Sequence, residues 1–247
     1  MSEKTLSILF RKDGFSFCIL KNAELVYSGH VSVQMDAQNP LVWKEITEKH
    51  PYLGQKYQRV IASILSPQFL LIPQNIFKSD KDPQKWLEFN AEIYENDYIT
   101  SAPIPDHDAE LIYAFPNEIK NWVKSEFGLN DLQNASLIFI KSILSESDIP
   151  QFFVNVHQDC LEILLLQKDK ILFYNIFETQ SREDVVYYIL NVYHQLQQDT
   201  NTIELYYFGW TEDNDYLKML MKFVRHVIPG SSDLNLMKHY TEITQII

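Results

Sequence analysis

Three short strands joined by tight turns, then a helix, then a fourth strand: this order occurs twice in the chain, and it leaves few folds open. The first copy starts with "LSILF" (6–10), "FSFCIL" (15–20) and "ELVYSGHVSV" (24–33). Gly14 and Asn22 stand in the turns, where residues tolerant of positive φ belong. Asn39-Pro40 then reads as an N-cap followed by a first-turn proline, with Val42 and Ile46 one helical turn apart. "YQRVIASIL" (57–65) is the fourth strand. The second copy runs "FFVNVH" (152–157), "CLEILLL" (160–166) and "KILFYNIF" (170–177). Ser181 and Asp184 then form a capping-box pattern, opening a helix over 182–198 with Val185, Ile189, Val192 and Leu196 on one face. "TIELYYF" (202–208) follows, and a further amphipathic helix carries Leu217, Leu220, Met221 and Val224. The two copies lie about 145 residues apart and share the pattern, not the residues.

The stretch between them is different. Residues 66–115 hold "FLLIP", a helix announced by Asp82-Pro83 with Trp86, Phe89 and Ile93 on its apolar face, and two more strands in "DYITSAP" and "AELIYAF". This reads as a small αβ insertion in the first lobe. A helix over 117–127 carries Ile119, Trp122, Val123 and Phe127 and stops at Gly128. "ASLIFI" (135–140) is expected as the strand it feeds. "SESDIP" (145–150) is the linker, so the expected lobes are 1–148 and 149–247.

Two such units in tandem, one carrying an insertion, resemble the actin-like ATPase superfamily, whose lobes are ribonuclease-H-like. "VIASILSPQFLLIPQNIF" with its Asp-Pro helix resembles that superfamily's strand into an inserted subdomain. "IKNWVKSEFGLNDLQNASLIFI" resembles the helix-to-strand return. The run is similar to the cytoplasmic actin-like proteins of type IV pilus and type II secretion assembly. It also resembles an uncharacterised bacterial family, a domain of unknown function assigned to the same superfamily. The fold expected is therefore α/β: two tandem ribonuclease-H-like lobes with mixed sheets.

The resemblance implies two phosphate-gripping hairpins, each with a glycine for close backbone approach and an acid near the metal, and a Gly-Gly turn beside the ribose. This chain departs from all three. In the first hairpin Leu9 stands at the acid and Arg11 at the glycine, with Lys12 beside it. In the second, Asn155 replaces the acid and His157 the glycine. At the third place Gly209 is followed by Trp210. A histidine side chain fills phosphate volume, and Asn155 offers a metal no carboxylate. With six glycines in the whole chain, a cradle of bare backbone is not expected.

Other clusters point to little chemistry. "PDHDAE" (105–110) lacks the spacing and glycine of a calcium loop and reads as an acidic turn. Asp213 and Asp215 favour a helix start. A nuclease needs several converging acids, and Glu162 stands alone in its strand. No metal ligand set or catalytic residue emerges. The net charge of −12 repels nucleic acid and anionic membrane surfaces. Cys18 and Cys160 are expected as buried free thiols. The start "MSEKTLSILF" has no signal-peptide pattern and no apolar run reaches about 18 residues, so a cytoplasmic protein is expected.

The function expected is a non-catalytic actin-like scaffold that binds a protein or peptide, or itself, without a cofactor. The insertion is the expected partner surface, with Phe69, Phe77 and Trp86 as anchors. The alternative is a divergent ATPase holding Mg-ATP in the interlobe cleft with Arg11, Lys12, Asn155, His157, Gly209 and Trp210.

Overall fold

The computed structural model describes residues 4–22, 24–34, 40–143, 145–157, 159–209 and 215–230. The chain divides into two compact units, with the boundary between Ile138 and Phe139.

Unit 1 opens with β1 (Lys4–Arg11), β2 (Gly14–Lys21) and β3 (Glu24–Ser32), paired antiparallel in sequence. Helix α1 (Pro40–Lys49) crosses over, so that β4 (Arg59–Ile64) adds parallel to β1. The insertion follows: β5 (Phe69–Pro73), α2 (Gln74–Phe77), α3 (Pro83–Glu88), β6 (Asp97–Ile104) and β7 (Ala109–Pro116). Its three strands form a separate antiparallel sheet in the order β5-β7-β6. One face of that sheet packs Ile72, Ile112 and Ala114 against Phe77 and Leu87 of the short helices.

Helix α4 (Asn117–Phe127) returns the chain, ending where Gly128 takes φ 68°. Trp122 on α4 meets Phe10 and Phe15 of the main sheet, with centroids 6.0 and 5.4 Å away, and Trp43 of α1 at 5.1 Å. Both helices thus seal one face of β1 and β2 through their tryptophans.

The expected strand at 135–140 is a helix. Only β8 (Gln133–Asn134) pairs with β4, and α5 (Ala135–Ser142) starts at once. The Asn134 side-chain oxygen accepts the Leu137 N–H at 3.0 Å, satisfying a donor of the first turn. Ala135, Phe139, Ile140 and Ile143 are buried, a spacing of three and four that suits a helix. The apolar run is as short as a buried strand, and periodicity cannot separate the two at that length.

Unit 2 repeats the order with β9 (Gln151–Val156), β10 (Cys160–Gln167), β11 (Lys170–Glu178), α6 (Arg182–Gln195), β12 (Leu205–Gly209), α7 (Asp215–Leu220) and β13 (Val227–Pro229). The capping box at Ser181 and Asp184 is complete. The final helix stops sooner than its apolar pattern implies: Met221 is more than half exposed beyond its end, while Val224 is buried. Val154, Val156, Leu161 and Ile163 pack on Ile189 and Tyr193 of α6 and Leu217 of α7.

The two main sheets have the same strand order. Unit 1 runs β3-β2-β1-β4-β8 and unit 2 runs β11-β10-β9-β12-β13. In each, three antiparallel strands are followed by two that join parallel. This is the ribonuclease-H-like arrangement, twice. Both cysteines are buried free thiols. Among the described residues no helix is long and apolar enough to cross a membrane.

Candidate functional site

The first hairpin turns in two residues. Arg11 pairs with Gly14, Phe10 with Phe15 and Leu9 with Ser16. The hairpin of unit 2 has the same count: the His157 N–H reaches the Cys160 carbonyl at 2.9 Å, Val156 pairs with Leu161 and Asn155 with Glu162. Counted from the turn, Arg11 therefore matches His157, Leu9 matches Asn155, and Ser16 matches Glu162.

These matched positions carry different chemistry. In unit 1, Leu9 and Ser16 are buried, and the Ser16 hydroxyl lies 3.2 Å from Nδ1 of His30 on the next strand. In unit 2 they form a closed polar cluster. Glu162, fully buried, receives His157 Nε2 at 2.8 Å and Asn155 Nδ2 at 2.8 Å on one carboxylate oxygen, and Tyr174 OH at 2.7 Å on the other. Asn155 and His157 are each 1% exposed. A carboxylate only accepts, so His157 Nε2 carries the proton in this pairing. Burial raises the Glu162 carboxyl. The hydrogen bond and charge of His157, with the Tyr174 and Asn155 bonds, outweigh it and hold the group below the ordinary carboxylate range.

Alternation explains how a charged residue comes to lie here. Leu161, Ile163 and Leu165 face the helices, so Glu162 points to the other side of the sheet, with Asn155 opposite it. Glu162 was expected to stand alone. Its partners sit on the two strands that flank β10, Asn155 and His157 on β9 and its end and Tyr174 on β11, and only register brings them together. The readable signal was one acid inside the apolar run "CLEILLL".

Gly209 closes β12 beside Val156 at φ 88°. A Cβ there would collide with the Val156 carbonyl and come within 2.8 Å of Asn155 Oδ1. Its lack of a side chain serves strand-to-strand approach. Trp210 and Asp213 lie outside the described residues. Asp215, at the start of α7, bonds Arg182 at 3.2 Å and Lys218 at 2.9 Å.

In unit 1, Arg11 and Lys12 border a groove of about 710 Å³. Most of its wall belongs to the insertion and its flanks, including Gln68, Ala91, Tyr94 and Phe115. Glu92, Glu95, Asp97 and Glu118 also line it, so it carries both signs of charge. Of the three aromatics expected as anchors, Phe77 is buried in the core of the insertion. Trp86 packs on that core and donates its indole N–H to the Asp80 carbonyl at 2.7 Å. Phe69 is half-buried at the start of β5, opposite Tyr113, on the other face of the inserted sheet. The exposed rings are Phe89, at 80%, and Tyr94, at 61%, the latter on the groove. Among the described residues no group of His, Cys, Asp and Glu is arranged to hold a metal.

The model of a family described as protein of unknown function (DUF3822) matches residues 1–227. No curated protein matches the sequence. The structure is similar to a protein of Bacteroides thetaiotaomicron VPI-5482 with an actin-like ATPase fold and unknown function: TM-score 0.76, 22% identity, covering 97% of this chain and 96% of that one. It is also similar to the PilM-PilN type IV pilus biogenesis complex, with TM-score 0.54, 10% identity and 92% and 88% coverage. The ethanolamine utilization protein EutJ from Carboxydothermus hydrogenoformans gives TM-score 0.53, 9% identity and 98% and 89% coverage. At these identities the likeness is one of fold. The fold is that of the actin-like ATPases.

Proposed function

We propose, from the premise that this chain belongs to the DUF3822 family, that it is a non-catalytic actin-like protein whose business is to bind a protein or peptide. The observation that carries this reading is the closed cluster around Glu162. In an actin-like fold the hairpin of the second lobe serves a nucleotide by leaving backbone bare and an acid free for the metal. Here the hairpin position holds the His157 side chain, and Glu162, the acid facing Asn155 across the hairpin, accepts three hydrogen bonds. No cofactor is needed in this reading.

The partner then takes the groove of unit 1. Its volume suits several residues of an extended peptide, its wall is the insertion, and loops grafted on a fixed scaffold are where function concentrates. Tyr94 supplies an exposed ring at the rim. That the similar PilM fold is found in a complex with PilN gives precedent for a protein partner.

A second reading keeps ATP, because Arg11 and Lys12 place two cations beside the groove. It needs a divergent mode, since neither Asn155 nor His157 offers the carboxylate by which a protein ordinarily holds magnesium.

Affinity purification from the native cell, with a groove-filling Ala91→Trp variant as control, tests the first reading. A partner retained by the wild type and lost from the variant is the expected result. An identical protein set from both overturns the assignment of the groove.

A further inference from the structure

The face of the inserted sheet opposite its helices is aromatic. Tyr98 pairs with Phe115 and Thr100 with Tyr113, so these four side chains share that face. Tyr113 and Phe115 are stacked with centroids 6.0 Å apart and planes 19° from parallel; Phe115 meets Tyr98 at 5.4 Å and 63°. With Asp131, from the loop after α4, these residues line a second pocket of about 280 Å³, which shares Phe115 with the groove.

Rings packed together are ordinarily core. Three features set this group apart. It encloses space and opens to solvent through half-buried Tyr98 and Thr100 and exposed Asp131. Aromatic ring faces attract cations, and the Asp131 carboxylate stands beside these rings. Burial, with Tyr98 and Asp131 nearby, pushes the Tyr113 hydroxyl up to about 12. Third, the protein already puts a cation on this surface: Lys120 Nζ lies 3.2 Å from the centroid of the Tyr98 ring.

We propose that this pocket recognises an alkylammonium group, held by the faces of Tyr98, Tyr113 and Phe115 and by the Asp131 carboxylate. The volume lies just below the range of pockets for whole cofactors, so it takes a small amine or the end of a chain. Thr100 adds a hydroxyl acceptor. The net charge of −12 raises the local concentration of cations. Lys120 is a built-in competitor for the Tyr98 ring. The proposal stands on its own observations and survives failure of the groove reading.

The test is titration of the full chain with n-butylammonium, followed by NMR shifts of the aromatic side chains and by calorimetry. 1-Butanol serves as the neutral match and Nα-acetyl-lysine amide as the protein-like source. Saturable binding of butylammonium without binding of butanol is expected. Asp131→Asn, at an exposed position, weakens it about fivefold, and Tyr98→Leu about fivefold or more. Lys120→Met strengthens it. Whichever of butylammonium and the lysine amide binds more tightly identifies the source as a free amine or a protein lysine. Equal binding of butanol and butylammonium, no saturable binding of either cation, or an unchanged affinity in Asp131→Asn overturns the proposal.

Discussion

The two main sheets share a strand order and a hairpin length, yet differ at the positions on either side of the turn. Unit 1 places Leu9 against Ser16; unit 2 places Asn155 against Glu162. On the helix-covered side the two are alike in kind. Phe10 and Phe15 meet Trp122, while Val156 and Leu161 join the α6–α7 core. The difference teaches that alternation on one face specifies the fold and leaves the opposite face open to change. A chain can keep an actin-like frame and alter its hairpin chemistry residue by residue.

The comparison breaks most sharply at Glu162. Glu162→Ala strands His157 and Tyr174 in a buried site and should cost about 3–5 kcal/mol. Its positional match, Ser16→Ala, loses one hydroxyl contact to His30 and should cost about 1 kcal/mol. Amide exchange of β9–β10 against β1–β2 measures the two separately. Equal losses would show that the cluster is no more cohesive than an ordinary core.

Gly209→Ala comes next, at about 3 kcal/mol, since a side chain there is strained at positive φ and meets the Val156 carbonyl. Gly14→Ala should behave alike, because its Cβ would collide with the Val31 carbonyl at φ 142°. Denaturant unfolding of both variants checks it. Tyr174→Phe removes one hydrogen bond to a charged group and should cost about 2 kcal/mol. Ser181→Ala, which opens the capping box of α6 without touching the cluster, should cost about 1 kcal/mol.

Acid sharpens the same contrast. The Glu162 carboxyl is held below its ordinary value of 4.5 in the folded protein. Its contribution is therefore fully present above the unfolded value and lost as pH falls through the lower folded one. Exchange protection in β9–β10 should decline on acidification below about 4.5, and Glu162→Gln should flatten that decline.

Much of the frame was legible because it is coded locally. Ser181 with Asp184, Gly128 after α4, and Asp82-Pro83 before α3 are read within a few residues, and each stands where expected. The inserted strands stand where "FLLIP", "DYITSAP" and "AELIYAF" place them. Residues 135–140 were not legible, because so short a mostly apolar run suits a strand or a helix until Asn134 is seen to cap the first turn. Asn155 and His157 stood out as departures from a pattern. Glu162 and Tyr174 did not, since they meet only once the strands are in register. Phe77 and Trp86 looked like anchors because they lie in an insertion; that insertion is large enough to need a core of its own, and they are part of it.

The most direct measurement is calorimetric titration of the wild-type chain with Mg-ATP at millimolar concentration. The account predicts no saturable heat, and none for Arg11→Ala. Micromolar binding by the wild type, abolished in Arg11→Ala, would contradict it.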